Sequence, residues 1–73
     1  MADPGVIGRN VARMRAERGW TQSELSRRSG VSQSFISDLE GGRRGKATTE
    51  VAASLAKAFG VTVDELLREG DRE

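Results

Sequence analysis

Gln33, Ser34, Ser37 and Asp38 recur in the stretch QSFISDLE at spacings that set them on one side of a helix. All are short or medium hydrogen-bonding side chains, with no Lys–Glu lattice among them. Solvated helix faces usually carry long charged residues, so this composition suits the reading of base edges in a DNA major groove. A polar face that merely meets solvent has the same residue types, and on these four alone both readings stand. If bases are read, Gln33 is the strongest reader, because its amide can bond adenine N6 and N7 together. Ser34 and Ser37 offer weaker, adaptable contacts. Asp38 could accept from cytosine N4, or be held back by Arg43 or Arg44 and exclude other bases.

These residues need a scaffold, and the surrounding sequence supplies one. Thr21 is an N-cap with Glu24 three residues later, a capping box that starts a helix at Gln22. Gly30 ends that helix in the left-handed conformation that other residues adopt only at a steric cost. Ser32 caps a second helix beginning at Gln33, with only Val31 and Ser32 between the glycine and its start. So short a connection makes the two helices cross steeply, as in a helix-turn-helix. Phe35, Ile36 and Leu39, with Val31, form the apolar side that docks on Leu25. Directly afterwards comes GGRRGK, which places Arg43, Arg44 and Lys46 on a loop beside the motif, suited to phosphate contacts. Gln22, Ser32 and the amides that open the two helices are further candidates for gripping phosphate.

The flanking segments read as helices too. Ile7, Val11, Met14 and Arg18 trace a stripe that predicts a first helix over roughly 7–18, closed by Gly19. Trp20 falls between two helices and should cover the edge of the core. Thr48 or Thr49 opens a fourth helix with Val51, Leu55, Ala58 and Phe59 as its apolar stripe, and Gly60 stops it. Thr62 and Glu65 form a second capping box for a short fifth helix containing Val63, Leu66 and Leu67. Residues 1–6 and 70–73 read as flexible tails, leaving one domain over 7–69.

A chain of 73 residues without cysteine is one domain held by helix packing alone. Its net charge of +1 hides a polarity: residues 1–46 hold nine Lys or Arg against five Asp or Glu, while 47–73 hold three against six. The basic part contains the helix-turn-helix and its loop, as expected of a face turned to phosphate. The absence of His and Cys removes the commonest general base, nucleophile pairs and zinc ligands, so catalysis is not expected. No cofactor motif is present, for GGRRGK lacks GK[ST] spacing and no strand precedes it. With no membrane-spanning run and no signal peptide, a cytoplasmic protein is expected, associated with the nucleoid when bound to DNA.

Three pieces, RMRAERGWTQSELS, GVSQSFISDLEGGRR and ASLAKAFGVTVDELL, resemble in order and spacing the XRE-type helix-turn-helix family of lambda repressor and Cro. The resemblance implies an all-α fold of five helices, with the third in the major groove and the second across the backbone. It also implies that Arg15 and Glu40 form a partly buried ion pair near the DNA backbone, where two independent surface charges are the alternative. Ser26 and Ser29 depart from the family pattern; Ser29 is expected to bond back to a carbonyl of the preceding turn.

The function expected is therefore a sequence-specific transcriptional regulator, a repressor that occupies its operator. The alternative is an antitoxin-like or protein-interaction module, or the DNA-binding part of a larger regulator. Val63 and Leu67, at the acidic end, are the expected contact of a weak homodimer on an inverted-repeat operator.

Overall fold

The computed structural model describes residues 5–43 and 47–68. Five helices follow one another: α1 (Val6–Glu17), α2 (Gln22–Ser29), α3 (Gln33–Glu40), α4 (Thr49–Phe59) and α5 (Val63–Leu67). Among the described residues there is no strand, so the architecture is all-α. Helix α1 starts at Val6, one residue before the predicted start, because Val6 is itself buried beside Ile7. It ends at Glu17, with Arg18 as its C-cap. Of the two expected tails, residues 1–4 and 70–73 lie outside the described residues.

The core lies where the apolar stripes of all five helices meet. Val11, Leu25, Ile36, Leu39, Leu55 and Leu66 are fully enclosed, with Ile7, Met14, Val31, Ala52, Ala56 and Phe59 around them. Each fully buried large aliphatic side chain contributes about 1.5–3 kcal/mol against exposure, which is the main stabilising term in a chain without disulfides. Phe35 and Val63 are only partly buried, packed against this core from its rim. Trp20 does cover the core edge: its ring stacks on Phe59 at 5.7 Å, and the Arg28 guanidinium lies 4.3 Å above Trp20.

Two contacts fix the helices in ways that periodicity does not foretell. Helix α1 crosses α3 so closely that a Cβ on Gly8 would sit 1.9 Å from the Leu39 carbonyl oxygen. Only a glycine admits that approach. At the other end, Asn10 is buried and its amide donates to the carbonyls of Leu66 at 2.6 Å and Arg68 at 2.9 Å. A helix of five residues such as α5 cannot persist by itself. The full capping box of Thr62 and Glu65 secures its start, and Asn10 satisfies its orphan carbonyls at the end.

Candidate nucleic-acid interface

The pair α2–α3 is built by its caps. Thr21 Oγ1 accepts from the Glu24 amide at 3.0 Å, and Ser32 Oγ accepts from the Phe35 amide at 3.1 Å. Between the helices Gly30 adopts φ +79°, which turns the chain. Both unusual serines of α2 then clamp the turn at one residue. Ser26 Oγ donates to the Val31 carbonyl at 2.6 Å, and Ser29 Oγ accepts from the Val31 amide at 3.1 Å. Ser29 thus bonds forward to an amide, contrary to the expected bond back to a carbonyl, because the left-handed Gly30 brings the Val31 amide over it. The turn gains two side-chain bonds that a small apolar residue could not supply.

The expected capping box of α2 forms only in half. Glu24 sends its carboxylate to Arg27 and Arg28 rather than back to the cap, since both cations sit one turn further along the same face. The Arg27 hydrogen bond, with Arg28 adding to it, holds the Glu24 carboxyl below the usual range.

Glu40, at the end of α3, is the hub that joins α1, α2 and α3. Its two carboxylate oxygens accept from Arg15 Nε and Nη2, each at 2.8 Å, in a bidentate pair. Gln22 Nε2 donates to the same carboxylate at 3.0 Å, while Arg15 Nη1 donates to the Trp20 carbonyl at 2.7 Å. Side-chain exposure is 9% for Glu40 and 22% for Arg15, so the pair is mostly withdrawn from water. Burial works against the charged Glu40, but the hydrogen bonds from Arg15 and Gln22 and the Arg15 charge outweigh it and lower its pKa. Arg15 in turn is raised, chiefly by its hydrogen bond to Glu40. The ion pair implied by the family resemblance is therefore present.

Gln22, Gln33, Ser34, Ser37 and Asp38 together line one open depression of about 500 Å³ between α2 and α3. Gln33 and Ser34 are exposed, and Ser37 and Asp38 half-buried. Gln22 is held at the rim by Glu40, which leaves its second amide proton and its carbonyl oxygen for other partners. Ser32 spends an acceptor lone pair on capping and keeps its hydroxyl proton to donate. Arg43 folds back onto α3: its Nε meets Asp38 Oδ1 at 3.1 Å and its amide donates to the Asp38 carbonyl at 3.0 Å. Arg44 and Lys46 lie outside the described residues. Val63 and Leu67 are elsewhere, on α5, which packs on α1 and α4; Leu67 is 49% exposed.

Sequence reasoning missed Gly8, Asn10, Arg18 and the serine clamp. A glycine inside a helical run and an asparagine on an apolar stripe were the available signals for the first two. Arg18, whose Nη2 donates to the Phe59 carbonyl at 2.8 Å and so ties α1 to the end of α4, gave none beyond its place on the stripe.

A helix pair joined by a three-residue turn, with a polar outward face and an arginine beside it, fits the helix-turn-helix class of DNA binders. A helix-turn-helix family model matches residues 11–66, and the chain belongs to that XRE-type family of DNA-binding transcription regulators. It is 46% identical over 66 residues to an uncharacterized HTH-type transcriptional regulator, y4dJ, of Sinorhizobium fredii, covering 90% of this chain and 84% of that one. Similarity extends to the competence pilus inhibition repressor of Acinetobacter baylyi, 42% identical over 82% of this chain and 54% of the relative. The HTH-type transcriptional regulator SinR of Bacillus licheniformis is 29% identical over 90% of this chain and 60% of its own length. The chain thus spans little more than half the length of these last two. No solved structure matches significantly.

Proposed function

We propose that this regulator is a repressor that occupies an inverted-repeat operator as a weak homodimer in the cytoplasm. Helix α3 enters the major groove, where Gln33 reads an adenine and Ser34, Ser37 and Asp38 contact neighbouring base edges. Gln22, Ser32, Arg43, Arg44 and Lys46 take the flanking phosphates. The observation that carries this reading is the single open depression lined by Gln22 and the four polar residues of α3. Among the described residues that line it none is apolar, and its rim is fixed by the Glu40 network, so the polar groups are presented in a set geometry. A relative named as a repressor supports the sign of regulation.

One helix-turn-helix covers few base pairs and seldom competes with genomic DNA by itself. Two copies would place their α3 helices roughly 34 Å apart, one helical turn of DNA. The exposed Leu67, with Val63 beside it, is a small contact, strong only when DNA holds both copies together. Selection of bound duplexes from a random pool tests the whole reading. An inverted repeat bound cooperatively is expected, with cooperativity lost and folding kept in Leu67→Glu. A single half-site bound with unit stoichiometry would overturn the dimer.

A further inference from the structure

Asp38 is an odd member of a surface meant for a polyanion. Among the described residues lining the depression, it carries the one formal charge, and that charge is negative. It also stands in the last turn of α3, the end of a helix that disfavours a carboxylate. Its Oδ1 accepts from Arg43 Nε, with side-chain exposures of 38% and 66%. A bond this exposed is easily exchanged for another partner.

Three further features aim Arg43 at Asp38. Gly42 takes φ +80° and reverses the chain, the Arg43 amide donates to the Asp38 carbonyl, and Gly41 offers no side chain where the guanidinium passes. A Cβ on Gly41 would lie 3.4 Å from Arg43 Nη1. The cation is thus stored against the reading face, while its expected partner on DNA is a phosphate.

We infer that Asp38 and Arg43 form a latch that makes a phosphate contact conditional on the base read beside it. When a phosphate draws Arg43 away, Asp38 is left bare against the DNA. A base edge offering an amino group, cytosine N4, satisfies the released carboxylate. Thymine presents its O4 acceptor instead, repels the carboxylate, and keeps Arg43 at home. Asp38 is then a specificity-determining residue that acts through Arg43 as well as through the base. This rests on α3 being the base-reading face.

The test uses the selected operator duplex and a second duplex in which the cytosine facing Asp38 is replaced by thymine. That position is the one whose preference flattens when the selection is repeated with Asp38→Asn. Affinity is measured against salt for the chain, Asp38→Asn, Arg43→Gln and the double variant, with Gln33→Ala as the control for the reading face. On the cytosine duplex Arg43→Gln should reduce the logarithmic salt slope by about one, the signature of one lost phosphate contact. On the thymine duplex the slope should not change. With Asp38→Asn in place, Arg43→Gln should cost about one unit of slope on both duplexes, because nothing then detains the cation. Discrimination between the duplexes should fall about tenfold in Asp38→Asn. Equal slope losses on both duplexes in the parent chain, or no position flattened by Asp38→Asn, would overturn the latch while Gln33→Ala still lowers selectivity. Loss of selectivity in neither Gln33→Ala nor Asp38→Asn would instead remove the reading face itself.

Discussion

The two glutamates of the helix-turn-helix, Glu24 and Glu40, each hold arginine, and each has its pKa lowered, yet the two clusters differ in what they do. Glu24 bonds Arg27 and Arg28 on its own helix, and those guanidiniums are 72% and 48% exposed. Glu40 bonds Arg15 of another helix and Gln22 of a third, with its own side chain only 9% exposed. The first cluster closes a loop of three or four residues that the helix has already formed. The second joins segments 25 residues apart in the chain. A depressed pKa therefore says that a carboxylate has partners; burial and sequence separation decide whether the fold depends on them.

The largest effect should come from Glu40→Ala. It strands a guanidinium that cannot lose its charge and frees Gln22 from its anchor. Removing one partner of a buried pair costs about 3–5 kcal/mol, and the residual exposure of Arg15 sets the expectation near 3 kcal/mol. Chemical denaturation measures it. A loss within about 0.5 kcal/mol, the scale of surface changes, would place Glu40 with Glu24 and dissolve the comparison.

Arg15→Met should be milder, at about 1–2 kcal/mol, since the remaining carboxylate can protonate or turn outward and the methionine keeps the stem packed. The order of the two variants is the informative quantity. Should Arg15→Met prove the costlier, the bond from Arg15 Nη1 to the Trp20 carbonyl, not the ion pair, would be the main tie.

How far these differences can be read from the chain depends on what encodes them. Caps and stops are local, so Thr21, Gly30, Ser32 and Thr62 announce their helices and each takes the predicted place, while of Thr48 and Thr49 it is Thr48 that caps α4. The polar face proposed to read bases is legible for the same reason: Gln33, Ser34, Ser37 and Asp38 share one helical side whatever the rest of the chain does. Which way a long side chain turns is decided by competition among its neighbours, which the spacing to the cap alone does not reveal. Glu24 has the spacing of a capping box and Glu65 has it too, but only Glu65 bonds back to its cap. Two arginines downstream compete for Glu24, whereas the arginine three residues after Glu65, Arg68, stands at the C-cap of α5 and pairs with Asp64 instead. Gly8 and Asn10 are further from view, because their partners Leu39 and Leu66 are brought to them by the tertiary fold alone.

Acid gives a sharper form of the same comparison. The Glu40 pKa is lowered in the folded chain, so its contribution is fully present above the unfolded value, about 4.3. It is lost as pH falls through the lower folded value. The stability difference between the parent chain and Glu40→Gln should be constant near neutrality and shrink below about pH 4. Thermal melts of both proteins from pH 7 down to pH 3 follow it. A gap that persists unchanged at pH 3 would mean that shape, not charge, makes Glu40 matter.

Glu24→Gln should have the smallest effect of all. Its pairs lie at i, i+3 and i, i+4 with the glutamate N-terminal, the favourable orientation, but both arginines are exposed and water screens such pairs strongly. Glutamine keeps the helix propensity, and Arg27 and Arg28 remain solvated without the carboxylate. Arg28 also retains its position over the Trp20 ring, a contact that does not need the glutamate. The expected loss is smaller than those of Arg15→Met and Glu40→Ala and should vanish in 1 M salt, where the screening length is about 3 Å. The Glu40→Ala loss, taken in a withdrawn site, should survive the same salt nearly intact. A Glu24→Gln loss as large and as salt-resistant as that would show that the Glu24 cluster, by fixing Arg28 on Trp20, braces the core edge after all.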